Sequence, residues 1–280
     1  MRQSSDIRLK IRVMQSRTII LVLMALMGIV SRAPLNACTI FVLTDEENTL
    51  FFNNEDWSNP KTRIWFKPGV NGRYGAAYVG FNDGWAQGGM NTEGLAFDWV
   101  AGFKDKWKMI QGQKKTIGNP TQRMIETCAT VEQAIAFFRK YYEPSFSYAR
   151  VLIADKHGNS AIVGARNYEL LVLESNESRG FGFGRNVLRK KVSPESKATV
   201  ENGRMILEEC FQSGKYATKY SNVFDLKTGS IHLYHFPNDI GGIILRLGEE
   251  LSKGGHYYDM PRIREQLDQP VKPLLRNMMR

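Results

Sequence analysis

The sequence predicts an α+β domain built mostly of antiparallel β-sheet. Short β-rich segments are joined by tight polar turns, and amphipathic helical segments lie between groups of these hairpins. Hydrophobic residues make up 42% and charged residues 24% of the 280 residues, which is typical of a globular protein and excludes a disordered one. No fixed-period repeat and no long Gly/Ser/Pro linker divides the chain. We therefore predict one domain, residues 38–280, behind a targeting segment, residues 1–37.

The targeting segment has the pattern of a secretory signal peptide. Five basic residues precede the apolar run TIILVLMALMGIV, residues 18–30, and a short polar stretch ends at Ala37. The apolar run is too short to span a hydrocarbon layer of roughly 30 Å comfortably. We expect a signal peptidase to cleave after Ala37 and the chain to be exported, to the periplasm or the cell exterior. A retained N-terminal anchor is the alternative.

The charge pattern argues against nucleic acid as a partner. The whole chain carries +10 at pH 7, and residues 1–37 hold six Lys/Arg and one Asp, so about +5 remains after cleavage. The basic segments GQKK and RNVLRKK are short and isolated, whereas a nucleic-acid-binding surface needs a clustered basic stripe with aromatic residues between. The four histidines show no metal-ligand spacing, so we expect no metal.

The strands are predicted in hairpins. Polar turns such as DEEN, NTEG with Gly94, KHGN and KTG separate β-rich segments. In chain order the predicted strands are CTIFVLT, TLFFNNEDW, YGAAYVGF, WAQGGM, GLAFDWVAG, YARVLIAD, SAIVGAR, ELLVLES, GFGFGRNV, KYSNVFDL and SIHLYHF.

Three helices are predicted. Thr130 and Gln133 form a capping box in front of an apolar helical face, and two further helices are expected over 197–212 and 240–251. The tail after residue 260 shows little periodicity and is expected to wrap the surface. Cys128 and Cys210 fall in helical segments, where apolar packing is a commoner role than a disulfide.

The position of Cys38 allows two chemistries. Cleavage after Ala37 would free the α-amine of Cys38, which could then accept the proton of its own thiol during attack on an amide carbonyl. The predicted hairpin would bring Asp56 beside Cys38, because cross-strand neighbours lie about 5 Å apart. Alternatively, Cys38 is lipidated as the anchor of a surface lipoprotein with a non-catalytic binding role. The polar residues between the apolar run and Cys38, and the strand that follows at once, disfavour lipidation. An ordinary buried cysteine is the third interpretation.

Several segments resemble the choloylglycine hydrolase family, which contains bile salt hydrolases and penicillin V acylases. CTIFVL followed by FFNNEDW resembles the family's opening C-T-x-F and its G-R-N-x-D motif. GGMNTEGLAFDW is similar to the D-G-x-N-E-K-G-L hairpin, VLIADKHGNSAIVG to a central strand pair, and TKYSNVFDLKTGSIHLY to a late hairpin. GFGFGRN lies where the family has x-L-T-N. The resemblance covers most of residues 38–236.

This resemblance implies a four-layer αββα sandwich of the N-terminal nucleophile hydrolase type and hydrolysis of a linear amide C–N bond without metal or organic cofactor. It implies that Cys38 is the nucleophile, that Asp56 orients its amine, and that Asn186 donates to the oxyanion. The implied partner is a small N-acyl amide, and a homo-oligomer is left open. Trp57 and Trp99 are candidates for an acyl pocket, although hairpin packing is their commoner role.

The sequence departs from the family pattern at its arginines. Asn53 stands where G-R-N-x-D has arginine, so the activation of Cys38 would depend on its amine and Asp56. Asn53 is retained as a candidate substrate-binding residue. The family's second arginine has no counterpart in a matching motif here, and Arg204 is the candidate for it. The family's asparagine after the N-E-K-G-L hairpin falls near Ala101, so an oxyanion donor there would be a backbone N–H.

Overall fold

A computed structural model of the protein describes residues 38–237 and 241–279. The predicted signal segment, residues 1–37, lies outside the described residues, and its cleavage stays a prediction. No helix within the described part of the chain is long and apolar enough to cross a membrane.

Fifteen strands and six helices make up the described structure. The strands are β1 Thr39–Thr44, β2 Thr49–Asp56, β3 Thr62–Lys67, β4 Ala76–Phe81, β5 Ala86–Asn91, β6 Leu95–Ala101, β7 Ala149–Asp155, β8 Ser160–Arg166, β9 Glu169–Ser175, β10 Arg179–Gly182, β11 Thr218–Asp225, β12 Ser230–His235, β13 Ile243–Arg246, β14 His256–Asp259 and β15 Lys272–Pro273. The helices are α1 Pro120–Ile125, α2 Val131–Lys140, α3 Arg185–Lys191, α4 Val200–Glu209, α5 Leu247–Ser252 and α6 Ile263–Leu267.

The strands form two antiparallel sheets. The six-stranded sheet has the order β10-β1-β2-β11-β12-β13, and the nine-stranded sheet has the order β15-β14-β3-β4-β5-β6-β7-β8-β9. The first hairpin, β1 with β2, lies in the centre of the smaller sheet, because β10 and β11 pair with its two outer edges. This central position explains why every residue of β2 is buried, including its polar end NNED.

Three apolar clusters separate four layers. One lies between the facing surfaces of the two sheets and includes Ile40 and Phe51 from the smaller sheet and Val79 and Leu152 from the larger one. A second joins the outer face of the larger sheet to α1 and α2, and a third joins the outer face of the smaller sheet to α3 and α4. The predicted αββα sandwich is therefore confirmed.

Helix α2 begins as the sequence predicts. The Thr130 side chain accepts from the Gln133 backbone N–H at 3.3 Å, and acidic and basic residues occupy its first and last turns respectively. The Gln133 side chain accepts from the backbone N–H of Ala129 at 2.7 Å, one residue earlier than a capping box requires. Helix α4 is three residues shorter at each end than predicted.

Several segments differ from the predicted secondary structure. The run after GFGFG was predicted as strand but forms helix α3, which places Leu188 in the outer cluster and its basic side chains in solvent. The helix predicted over 240–251 is wrong in its first half, because residues 243–246 pair with β12 as an edge strand. The tail, predicted as irregular, contains α6 and β15.

Cys128 and Cys210 are free and buried. Cys128 lies in the cluster beneath α1 and α2, and Cys210 lies in the cluster on the opposite side of the two sheets. Their expected role as small apolar residues, without a disulfide between them, matches this placement.

Candidate active site

The first hairpin places Cys38 beside a buried glutamate. Pairing of β1 with β2 aligns Thr39 with Asn54, so the residue before Thr39 lies next to Glu55. The thiol of Cys38 donates to Glu55 Oε1 at 3.4 Å. Both side chains are buried, with 8% of Cys38 and 3% of Glu55 exposed. The thiol and this carboxyl group are the centre of the candidate site.

A cavity of about 480 Å³ opens over Cys38. Buried apolar residues form part of its wall, and exposed aromatic residues form part of its mouth. The full lining consists of Cys38, Glu55, Asp56, Trp57, Asn59, Phe81, Asp83, Trp85, Gln87, Trp99, Ala101, Ser145, Tyr148 and Ala149. The cavity can hold a small molecule with an apolar group close to the Cys38 sulfur.

Glu55 faces the space between the two sheets. Its Oε2 accepts from the hydroxyl of Tyr220 at 3.4 Å, in addition to the contact of Oε1 with Cys38. Burial raises the pKa of Glu55 to about 8, and the charge of Asp56 adds to this shift. Hydrogen bonds from Cys38, Asn53 and Tyr220 oppose the shift without cancelling it.

Asp56 points to the other side of strand β2. Its Oδ1 accepts from the Thr218 hydroxyl at 2.6 Å, and its Oδ2 accepts from the Gln212 side-chain amide at 2.6 Å. Burial raises the pKa of Asp56 to about 7, although these two hydrogen bonds and the charge of Lys219 lower it. The part of Asp56 that hydrogen-bonds the Cys38 sulfur is its backbone, not its carboxylate. The predicted contact of the carboxylate with the Cys38 amine stays a prediction for the cleaved chain.

Asp98 is a third buried carboxyl group, contributed by the larger sheet. Its Oδ1 accepts from the Trp99 backbone N–H at 2.7 Å, and its Oδ2 has no hydrogen-bond partner within the described residues. A Cβ atom at Gly88 would lie 2.1 Å from that Oδ2, so the glycine makes room for it. The pKa of Asp98 is raised, first by burial and then by the charge of Glu55 across the sheets.

The environment of Cys38 disfavours a free thiolate. Burial raises the pKa of the thiol well above its usual range, and the charges of Glu55 and Asp56 raise it further. The hydrogen bond from the Asp56 backbone acts in the opposite direction. No Lys or Arg within the described residues forms an ion pair with Glu55, Asp56 or Asp98. The thiol therefore needs a nearby proton acceptor to become a nucleophile.

Asn53 and Asn186 lie away from the cavity lining. The Asn53 side-chain amide donates to Asn222 Oδ1 at 3.3 Å, which joins β2 to β11 below Glu55. Asn186 is exposed near the start of α3. The segment before it is close to the site, because the Phe183 N–H donates to the Cys38 carbonyl at 3.1 Å. The roles predicted for both asparagines stay predictions.

The two predicted tryptophans both line the cavity but differ in burial. Trp99 is 7% exposed and packs against Phe146, with ring centroids 5.7 Å apart. Trp57 is 48% exposed at the mouth and lies against Tyr216, with ring centroids 5.9 Å apart. Ala101 lines the same cavity. Their role in substrate binding stays a prediction.

Sequence reasoning did not single out Glu55, Asp98, Trp85 or Tyr148. The signal for Glu55 was available, because side chains alternate along a strand and Glu55 must face away from Asp56. The sequence contains no comparable signal for Trp85 or Tyr148. These residues lie far apart in the chain, directly before β5 and β7 respectively. Within residues 38–237 and 241–279, no group of three His, Cys, Asp or Glu side chains is arranged to hold a metal ion.

Comparison with known proteins is consistent with this architecture. The family model described as acyl-coenzyme A:6-aminopenicillanic acid acyl-transferase matches residues 43–181, about half of the chain. No curated protein matches the chain. Penicillin V acylase from Agrobacterium tumefaciens superimposes with a TM-score of 0.65 at 14% identity, covering 85% of this chain and 99% of that one.

A conjugated bile acid hydrolase from Clostridium perfringens, solved as a mutant, superimposes with a TM-score of 0.58 at 13% identity. This match covers 79% of the present chain and 95% of the hydrolase. At these identities the structural matches establish the fold, and the family assignment rests on the sequence match together with it. The chain belongs to the choloylglycine hydrolase and penicillin V acylase family, whose members are N-terminal nucleophile hydrolases acting on linear amide bonds.

Proposed function

We propose that the protein is an exported amide hydrolase whose nucleophile is the thiol of Cys38, freed as the N-terminal residue by cleavage after Ala37. The observation that carries this proposal is the placement of Cys38 Sγ in the cavity, 3.4 Å from Glu55 and directly before strand β1. The substrate is a small N-acyl amide whose acyl part is apolar. Buried Phe81, Trp99 and Ala149 in the cavity wall support an apolar acyl group.

In the proposed reaction, the thiol transfers its proton to the free α-amine of Cys38 as sulfur attacks the amide carbonyl carbon. The resulting oxyanion accepts a hydrogen bond from the backbone N–H near Ala101, which lines the cavity. The tetrahedral intermediate then collapses: the C–N bond breaks, and the proton passes from the α-ammonium to the leaving nitrogen. Water, deprotonated by the same amine, cleaves the thioester to release the acid and restore the thiol.

Cleavage would also resolve the charge imbalance around Cys38. Glu55, Asp56 and Asp98 are buried without a basic ion-pair partner among the described residues. An α-ammonium group at Cys38 would supply one positive charge among them, where the family's arginine is replaced by Asn53. A carboxylate next to this ammonium favours the protonated form that arises during attack. Glu55 is therefore the main counter-charge in the proposed mechanism, with Asp56 beside it.

The rival role for Cys38 is a lipid anchor. An acylated cysteine must leave the protein surface towards the membrane, whereas Cys38 is buried and β1 follows without a tether. Intact-mass and N-terminal analysis of the protein isolated from an exporting cell tests the two roles. We expect a chain that starts at Cys38 with no added mass and that hydrolyses N-acyl amides. A glyceride-modified Cys38, or a processed but inactive protein, would contradict the proposal.

A further inference from the structure

The charges that line the cavity have one sign. Glu55 and Asp56 lie near the sulfur, and Asp83 lies exposed at the mouth. No Lys, Arg or His is among the described residues that form the lining. Lys219 lies outside the lining and acts on Asp56. The exposed carboxylate of Asp83 would repel an anionic group at the mouth of the cavity and attract a cationic one.

The mouth also presents aromatic rings. Trp57, Trp85 and Tyr148 line the cavity and are 48%, 40% and 55% exposed, respectively. Exposed aromatic faces next to a carboxylate are the usual environment in which proteins bind ammonium and guanidinium groups. Trp85 is held close to Asp83, because its backbone N–H donates to Asp83 Oδ1 at 3.0 Å. The acidic group and the ring therefore belong to one turn.

One polar group of the wall has no partner. Trp99 lines the cavity, is 93% buried, and its Nε1 makes no hydrogen bond within the described residues. Nε1 is itself buried, so the indole contributes apolar surface to the wall. The deep wall thus suits an apolar group, and the mouth suits a cation.

We infer that the substrate is an amide whose leaving amine carries a second, positively charged group, and that amides of anionic amines are disfavoured. This inference rests on the proposed hydrolysis at Cys38. The apolar acyl part contacts Phe81, Trp99 and Ala149, and the scissile bond lies at the sulfur. The amine part extends to the mouth, where Asp83 and the rings of Trp57 and Trp85 receive its ammonium or guanidinium group.

Three phenylacetyl amides of similar length test the inference, because they differ mainly in the charge of the amine: those of 1,4-diaminobutane, butylamine and 4-aminobutanoate. We expect kcat/KM to fall in that order, with about tenfold or more between the cationic and the anionic amide. Added salt should reduce the ratio of kcat/KM for the cationic amide to kcat/KM for the anionic amide. Equal turnover of the cationic and anionic amides, or faster turnover of the anionic one, would overturn the inference.

A matched pair of variants tests the role of Asp83. Asp83→Asn keeps the acceptor for the Trp85 N–H and removes the charge, so the ratio between cationic and anionic amides should fall several-fold. Asp225→Asn is the control: its carboxylate accepts from the Lys227 N–H at 3.0 Å in a similar turn outside the cavity lining. It should leave the ratio as in the parent. An unchanged ratio in Asp83→Asn would contradict the proposed position of the cation.

Binding separates this inference from the proposed reaction. The Cys38→Ala protein can bind the three amides without cleaving them, and Trp57, Trp85 and Trp99 in the lining allow titration by tryptophan fluorescence. Tighter binding of the cationic amide supports the inference. Absence of hydrolysis of all three amides by the parent protein would refute only the proposed reaction. Equal binding of all three, or tightest binding of the anionic amide, would refute the inference itself.

Discussion

The thiol of Cys38 hydrogen-bonds the carboxyl group of Glu55, whereas the neighbouring carboxylate of Asp56 is engaged by Thr218 and Gln212. The two acids are adjacent in sequence and lie on opposite faces of strand β2. Only Glu55 shares the inter-sheet space with the sulfur and with Asp98. Glu55 and Asp56 therefore contact Cys38 in different ways: Glu55 through its carboxyl group and Asp56 through its backbone.

Replacing Glu55 by glutamine should lower kcat/KM by about 10²-fold or more. The variant keeps the size of the side chain but removes the counter-charge of the ammonium group that forms during attack, a loss of about 2.7 kcal/mol of transition-state stabilisation. Steady-state kinetics on a phenylacetyl amide measure this effect. Glu174→Gln removes an exposed strand carboxylate and should behave as the parent. Parent-like kinetics in Glu55→Gln would exclude Glu55 from the mechanism.

Asp56→Asn should also reduce kcat/KM by about 10²-fold, while folding is retained. The amide can still accept from Thr218, but it no longer supplies the negative charge that acts on Cys38. If Asp56 instead only stabilises the pairing of β2 with β11, the variant should have a lower melting temperature and an unchanged kcat/KM. Kinetics and thermal unfolding of the same preparation distinguish these outcomes.

A protein made with one extra residue before Cys38 should fold normally and lack activity. The extra residue converts the α-amine into an amide, which cannot accept the thiol proton at neutral pH. Near-UV circular dichroism should match the processed protein, and amide turnover should be absent. Equal turnover by the blocked and the processed protein would rule out the amine as the base.

In the protein with one extra residue before Cys38, ionisation of Glu55 should make the free energy of unfolding depend on pH. The pKa of Glu55 is raised in the folded state from 4.5 to about 8. Its contribution to the free energy of unfolding is therefore fully present below pH 4.5 and is lost as pH rises through 8. Glu55→Gln should therefore be stabilised relative to its parent at pH 8.5, on the order of a few kcal/mol, and much less at pH 5. Urea unfolding at the two pH values measures the difference, and a pH-independent difference would contradict it.

Gly182→Ala should disturb the site through the backbone of Cys38. Gly182 has φ +118°, and a Cβ atom there would lie 2.1 Å from the Cys38 carbonyl oxygen. Gly214 has φ +81° with nothing within 4 Å of an added Cβ, so Gly214→Ala isolates the conformational cost. We expect Gly182→Ala to lose about 1–3 kcal/mol more stability than the control, together with activity. Equal losses of stability in the two variants would mean that the backbone around Cys38 shifts to make room for the added methyl group at little cost in free energy.

Much of the local structure, and the position of the candidate nucleophile, can be predicted from the sequence. Alternation and turn residues predicted the hairpin of β1 and β2, and the Thr130 cap predicted the start of α2, because both signals depend on neighbouring residues. The motif order around Cys38 indicated the family, and with it the four layers. Strand alternation also contained the information that Glu55 and Asp56 face opposite ways.

Which of these two acids contacts the thiol, and which residues surround it, depends on how the sheets pack together. The inward direction of Glu55 follows from packing of the smaller sheet on the larger one, which brings Asp98 towards it from a distant strand. Residues 243–246 became a strand because β12 offered an unpaired edge, and residues 185–191 became a helix because the outer cluster accepts Leu188. The cavity joins Trp57, Trp85 and Tyr148 from segments far apart in the chain. Pairing and burial of this kind are non-local, so no window of sequence specifies them.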